Sequence, residues 1–179
     1  MKIFSDKKTL IPCICALIGA LLMIITVFLP YSTAIGEYKA ELKTTADTVI
    51  SEDLGMDSGD LINVSMFDYA RIYSKLTHQM FYGKDGYIYV GFVVAILLFS
   101  VLCILFSLLK KATPIIVFSM LSFLVFAFQS FDFYFRDEIP NENYAWGFGY
   151  YIFYFAAALT LAGAIWLLIV KVKNKKMHS

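Results

Sequence analysis

The longest apolar stretches of the chain lie between Tyr87 and Phe131. Two runs, Tyr87–Leu109 and Ala112–Phe131, contain no charged residue and are separated only by Lys110 and Lys111. About 20 residues at ~1.5 Å per residue cross the ~30 Å hydrocarbon core of a bilayer, so each run is long enough for a transmembrane helix. The two lysines predict a tight helical hairpin whose turn is cytoplasmic, because short lysine-bearing loops are retained on that side.

Two further apolar runs make a set of four. The first extends from Leu10 to Leu29 and is closed by Pro30, and the last extends from Trp146 to Val170 and is followed by lysines. The first run exceeds the ~7–15 apolar residues of a signal peptide, which favours a retained helix, although its basic start leaves a cleaved signal peptide open. The pattern predicts an all-α membrane protein. It has one domain, 1–179, built as a four-helix transmembrane bundle with helices at about 10–31, 86–109, 112–131 and 146–170.

The only long polar segment, 32–85, lies between the first and second predicted helices. Its middle part, 51–60, is acidic and contains Gly55 and Gly59, which indicates a flexible loop. Ser65 and Asp68 then form the start of a capping box, and apolar residues recur at helical spacing as far as Phe81. We therefore predict an extracytoplasmic loop with an amphipathic helix at about 65–81. This helix either packs as a lid on the transmembrane helices or binds a ligand or partner.

Composition and charge agree with a membrane-embedded chain. Of its 179 residues, 60% are hydrophobic, against ~45–50% in soluble domains. The predicted cytoplasmic segments hold nine lysines and one acid, whereas the predicted outer segments hold thirteen acids and six bases. This asymmetry predicts that both termini are cytoplasmic.

Small residues recur four apart on the first and last predicted helices, a spacing that allows close helix packing. They are Ala16 and Ala20, with Cys15 and Gly19 beside them, and Ala156, Thr160 and Ala164. Spacing alone leaves open whether these faces pack within one chain or between copies.

Polar residues at the end of the third run are the main candidates for a binding site. Gln129 lies within the predicted hydrocarbon region, whereas Asp132 is expected at the water boundary, four residues before Arg136, with which it can pair on a continued helix. Tyr69 and Tyr73 of the amphipathic helix and Trp146 of the interfacial aromatic belt complete the candidate ligand or partner site.

No residue pattern indicates catalysis, a metal or a cofactor. His78 and His178 are single and distant, and the acids between Glu52 and Asp60 lack the spacing of an EF-hand. The Cys13-x-Cys15 pair has no His or acid beside it. We therefore expect a non-enzymatic protein without a cofactor or metal, whose partners are the lipid bilayer and a membrane protein or further copies of itself, and which does not bind nucleic acid.

Several short sequences carry a family resemblance. They are Phe28-Leu29-Pro30-Tyr31, Asn63-Val64-Ser65-Met66-Phe67-Asp68, Lys84-Asp85-Gly86, Leu108-Leu109-Lys110-Lys111 and Gly147-Phe148-Gly149-Tyr150. On these the chain resembles small four-helix integral membrane proteins of Gram-positive, clostridia-type bacteria for which no activity is known. The resemblance implies a location in the bacterial plasma membrane and brings no catalytic residues.

Two functions follow as hypotheses. The first is an accessory or scaffold protein that binds a partner through its outer face. The second is a small transporter, a channel subunit or a lipid- or peptide-binding protein with a pocket at the outer leaflet. The second predicts that Gln129, Asp132 and Arg136 face a shared cavity, whereas aromatic packing between them favours the first.

Overall fold

The computed structural model describes residues 7–45, 49–51, 55–79 and 86–177. Its helices are α1 (Lys7–Thr26), α2 (Gly36–Thr44), α3 (Met66–Gln79), α4 (Gly86–Leu108), α5 (Ala112–Phe135) and α6 (Phe148–Met177). Its strands are β1 (Pro30–Ala34), β2 (Val49–Ser51), β3 (Met56–Asp57), β4 (Asn63–Ser65) and β5 (Tyr144–Trp146), and Ser58–Ile62 forms a 3₁₀ helix.

Four of the described helices are long and apolar enough to cross a membrane. These spans are Lys8–Thr26, Tyr87–Leu108, Ala112–Phe135 and Phe148–Lys175. The chain is therefore an all-α, multi-pass membrane protein, as the sequence predicts. Several boundaries differ from the prediction, and the last helix, α6, extends from Phe148 to Met177 instead of 146–170. The helix α1 ends at Thr26 because β1 begins at Pro30, and α5 continues past Phe131 to Phe135, which places Asp132 on the helix.

Contacts divide the chain into two compact units. The first comprises Met1–Ile24, Ile96–Leu124 and Phe153–Ser179, and the second comprises Ile25–Ala95 and Val125–Ile152. Each is described separately below.

In the first unit, the small-residue faces of α1 and α6 pack against each other. A Cβ atom on Gly19 would lie 2.7 Å from the Ala156 carbonyl oxygen, and one on Gly163 would lie 2.6 Å from the Ala16 nitrogen. Such distances mean that the two backbones are almost in contact. These faces therefore pack within one chain, which the spacing had left open.

The predicted hairpin is present in the first unit. The helix α4 ends at Leu108 and α5 begins at Ala112. Lys110 turns the chain with a φ of 55°, and the Lys111 N–H donates to the Phe106 carbonyl at 2.9 Å. The ring of Phe106 stacks on Phe118 with centroids 5.7 Å apart. The turn thus satisfies the last carbonyls of α4, which have no partner within the helix.

In the second unit, a small antiparallel sheet that the sequence analysis did not predict joins three distant parts of the chain. The strand β1 lies at its centre, between β4 and β5. The Gly147 N–H extends this pairing by donating to the Tyr31 carbonyl at 2.8 Å. A Cβ on Gly147 would lie 2.8 Å from the Pro30 carbonyl carbon, so only glycine fits there. We call the described residues among 27–79 and 136–147 the cap.

The cap is more ordered than the sequence indicates. The sequence is interpreted as a loop at 51–60 and leaves its order open. The described part of this segment contains the end of β2, β3 and the start of the 3₁₀ helix, and 52–54 lie outside the described residues. The Asp57 N–H donates to the Asp60 carboxylate at 3.1 Å as part of a capping box. Asp57 and Asp60 therefore hold the local backbone.

Candidate functional site

An aromatic cluster centred on Tyr31 joins the cap to the ends of the long helices within the second unit. Tyr31 is only 1% exposed, and its hydroxyl donates to the Ser130 Oγ at 3.0 Å. Its ring centroid lies 5.3–6.2 Å from those of five other aromatic residues: Tyr69, Phe126, Phe133, Trp146 and Tyr150. Sequence reasoning did not single out Tyr31 as a functional residue, since its partners are far away in the chain.

The amphipathic helix is present as α3, and its predicted capping box forms. The Asp68 N–H donates to the Ser65 hydroxyl, and the Ser65 N–H donates to the Asp68 carboxylate, both at 3.1 Å. These bonds begin the helix directly after β4. It ends at Gln79, and Met80 and Phe81 of the predicted helix lie outside the described residues.

The tyrosines of α3 face the aromatic cluster. Tyr69 lies 5.0 Å from Phe133 between ring centroids and shares a 2.8 Å hydrogen bond with Ser32. Tyr73 stacks on Tyr89 of α4 with centroids 4.2 Å apart. The apolar face of α3 is therefore packed against the helix ends, which agrees with the interpretation of this helix as a lid.

A hydrogen-bonded network joins α4 and α5 below this lid. The Tyr89 hydroxyl donates to Asp132 Oδ2 at 2.6 Å, and Arg136 Nε donates to Asp132 Oδ1 at 3.0 Å. The Asp132–Arg136 pair expected from their spacing is thus confirmed. Tyr89 was missed because it lies in a continuous apolar run, where a tyrosine carries no periodic signal. Each carboxylate oxygen of Asp132 has a partner, so the acid is neutralised within the protein.

This network forms one end of a narrow cleft of about 180 Å³. The cleft is lined by Ile88, Tyr89, Phe92, Phe128, Asp132 and Arg136. Its deeper wall is apolar, and its polar end is the Asp132–Arg136 pair.

Gln129 is not among the residues that line this cleft. It is completely buried, and neither of its amide atoms has a hydrogen-bond partner among the described residues. Its neighbour Phe128 lines the cleft instead. The shared cavity of Gln129, Asp132 and Arg136 that the pocket hypothesis requires is therefore not formed around Gln129.

The remaining candidate, Trp146, belongs to the aromatic cluster. Its ring stacks on Tyr150 with centroids 4.3 Å apart and meets Tyr31 edge-on at 5.3 Å. The six candidate residues thus divide by their surroundings. Asp132 and Arg136 line the cleft, the two α3 tyrosines and Trp146 pack in the cluster, and Gln129 is buried.

The buried tyrosines of the cap are held in their neutral form. Burial raises the pKa of Tyr69 to about 12, an effect that the Ser32 hydrogen bond partly offsets. Burial also raises the pKa of Tyr73, as does the carboxylate of Glu138, which accepts a hydrogen bond from the Tyr73 hydroxyl. Near neutral pH both phenols therefore stay protonated and pack, and neither is poised to act as a base.

The described residues contain no group of three or more His, Cys, Asp or Glu side chains that could hold a metal ion. Cys13 and Cys103 are buried thiols, and Cys15 is half-buried. His178, Glu52 and Asp53 lie outside the described residues.

Comparisons with known proteins give no further identification. No family model matches the chain, and neither a curated protein nor a solved structure does.

Proposed function

We propose that this membrane protein is a non-enzymatic accessory or scaffold protein whose cap binds a partner protein. The observation that carries the proposal is the construction of α3. Its tyrosines are used for packing, whereas Arg71 and Lys75 are exposed. Phe67 is 42% exposed although its ring contacts Phe28, with centroids 5.5 Å apart. A helix with exposed apolar and basic side chains is a form of surface that partner proteins bind.

The proposed location is a bacterial plasma membrane with both termini cytoplasmic. The charge asymmetry of the sequence supports the orientation, and the family resemblance supports the bacterial membrane. Within the first unit, the Lys171 ammonium donates to the Lys110 carbonyl oxygen, so two of the lysine-bearing segments meet. Such a lysine-rich end is typical of the cytoplasmic side.

The test is recovery of a partner from native membranes in mild detergent, followed by mass spectrometry and sizing. The paired change Arg71→Glu and Lys75→Glu reverses the charge of the outer face of α3. We expect it to reduce partner recovery at least about tenfold, because like charges opposed at an interface cost several kcal/mol. The control change Lys39→Glu and Lys43→Glu on α2 alters the net charge equally and should leave recovery unchanged. Equal recovery from both variants would contradict a partner surface on α3.

The second candidate function is a small transporter, a channel subunit or a lipid- or peptide-binding protein with a pocket at the outer leaflet. The cleft at Asp132 and Arg136 favours it, whereas the burial of Gln129 outside that cleft does not. The cleft holds only about 180 Å³, below the ~300–1,000 Å³ of pockets that enclose a whole ligand, so it can surround only part of a bound molecule. The scaffold proposal is therefore preferred.

A further inference from the structure

The cleft between α4 and α5 has exposed apolar walls. On its walls, Ile88 is 51% exposed and Phe128 is 60% exposed, both on helices that can span a membrane. Exposed apolar side chains on such helices contact lipid. The cleft is therefore a groove in the lipid-facing surface.

The polar end of the cleft lies where phospholipid headgroups lie. Arg136 directly follows Phe135, the last residue of the α5 span. Phe128 is eight residues earlier on the same helix and thus about 12 Å deeper along it. Arg136 therefore lies at the edge of the hydrocarbon, where it can meet the headgroup of one lipid. The apolar groove extends about 12 Å below it and can hold the upper part of an acyl chain.

The charge of Arg136 is available to an anion. Its Nε is used by Asp132, but no described residue accepts a hydrogen bond from its two terminal nitrogens, and its side chain is 47% exposed. Both Asp132 oxygens already have partners, in Tyr89 and Arg136 itself. The two terminal nitrogens therefore carry N–H groups without an acceptor among the described residues, and such a pair suits a phosphate.

An acidic group lies near Tyr89, at the polar end of the cleft. Glu138 is exposed, accepts a hydrogen bond from the Tyr73 hydroxyl, and interacts electrostatically with Tyr89, which lines the cleft. A second exposed acid, Asp137, directly follows Arg136. A phosphate that carried only negative charge would be repelled by these carboxylates, whereas a headgroup with a terminal ammonium would be complementary to them.

We infer that the α4–α5 cleft binds one phospholipid with a primary ammonium headgroup, as in phosphatidylethanolamine. The phosphate lies on the terminal nitrogens of Arg136, the ammonium lies toward Glu138, and the acyl chain lies along Phe92 and Phe128. This inference does not rest on the proposed partner surface, which involves the outer face of α3.

The experiment is native mass spectrometry of the detergent-purified full chain with added dioleoyl phosphatidylethanolamine, dioleoyl phosphatidylglycerol or dioleoylglycerol, which lacks the phosphate. We expect one tightly retained phosphatidylethanolamine per chain. Arg136→Gln should weaken its retention about tenfold, because it removes charge-assisted hydrogen bonds. Glu138→Gln should abolish the preference for phosphatidylethanolamine over phosphatidylglycerol.

The chain offers a matched control, since Arg71 is its only other arginine and also follows an aspartate with which it forms an ion pair. Its side chain is 43% exposed, against 47% for Arg136. Arg71→Gln should leave lipid retention unchanged. A second variant, Ile88→Trp, fills the groove without altering charge and should also displace the lipid.

Equal losses from Arg71→Gln and Arg136→Gln would show non-specific attraction and overturn the inference. So would equal retention of dioleoylglycerol and the phospholipids, or an unchanged lipid adduct in both Arg136→Gln and Ile88→Trp. Arg136→Lys keeps the positive charge, so it should retain part of the binding if Arg136→Gln fails to fold.

Discussion

At the scale of single residues, two neighbours on α5 show that a buried polar side chain does not always find a hydrogen-bond partner. Gln129 and Ser130 are polar and buried, and they differ in what surrounds them. The Ser130 hydroxyl accepts a hydrogen bond from the Tyr31 hydroxyl and donates one to the Phe126 carbonyl at 2.8 Å, whereas the Gln129 amide has no partner among the described residues. A buried amide without a partner costs free energy, so Gln129 is a weak point of the helix.

We predict that Gln129→Leu stabilises the protein and that Ser130→Ala destabilises it. Leucine has a similar size and no buried amide, so the free energy of unfolding should rise by about 1 kcal/mol. Removing the Ser130 hydroxyl leaves the buried Tyr31 hydroxyl unpaired and should cost about 1–2 kcal/mol. Thermal unfolding in detergent measures both changes. A lower midpoint for Gln129→Leu would mean that the amide makes an interaction important for stability.

The cap tyrosines illustrate the limit of residue-level prediction. The helical spacing of Tyr69 and Tyr73 predicts that they share one face of a helix, and that helix is present as α3. Their rings are instead used to pack α3 against Phe133 and Tyr89. The periodicity of a helix identifies the apolar face but does not say whether it meets the protein or a ligand.

At the scale of elements, the approach of α1 to α6 depends on glycine. Gly19 and Gly163 both lie where a side chain would meet the backbone of the other helix. Small residues allow helices to approach closely, and in a membrane this packing replaces the hydrophobic effect as a source of association.

We predict that Gly19→Ala destabilises the protein although alanine favours helices. The new Cβ would lie 2.7 Å from the Ala156 carbonyl oxygen, so the helices must separate, at a cost of about 2 kcal/mol. Gly91→Ala on α4 is the matched control, because nothing lies within 4 Å of its Cβ position. That change should be neutral or stabilising by up to about 1 kcal/mol. The midpoint of thermal unfolding in detergent measures both changes. Equal midpoints for the two variants would contradict the close packing of α1 on α6.

The strands were the elements that sequence reasoning missed. The strands β1, β4 and β5 have five, three and three residues, too short for an alternating pattern to be recognised. Their pairing brings together residues 30–34, 63–65 and 144–146, which lie far apart in the chain. In contrast, the start of α3 was predicted well, because Ser65 and Asp68 form a capping box through contacts within four residues.

At the scale of the whole molecule, the proposed orientation rests on the distribution of charge over four spans. We predict that a green fluorescent protein fused after Ser179 is fluorescent and that alkaline phosphatase fused there is inactive. Alkaline phosphatase inserted after Asn141, in the segment between α5 and α6, should be active, because this enzyme folds only outside the cytoplasm. The opposite pattern would place the termini outside. Equal phosphatase activity at both sites would contradict a fixed orientation. Immunoblotting of each fusion serves as the control for its expression.

The sequence alone determined the features that are local in the chain. Length and hydropathy define the four spans, two lysines define the hairpin between α4 and α5, and four-residue spacing defines the Asp132–Arg136 pair. Each depends on residues within one helix or on either side of one turn, so periodicity and spacing are sufficient evidence.

Only the tertiary structure decided which surfaces meet. It paired the small faces of α1 and α6 within one chain, placed Gln129 outside the cleft, and made Tyr31 the centre of an aromatic cluster. It also joined Tyr89 to Asp132 across 43 positions of sequence and Tyr31 to Ser130 across 99. These contacts depend on how separate helices and strands pack, and one sequence carries no periodic signal for a partner that distant.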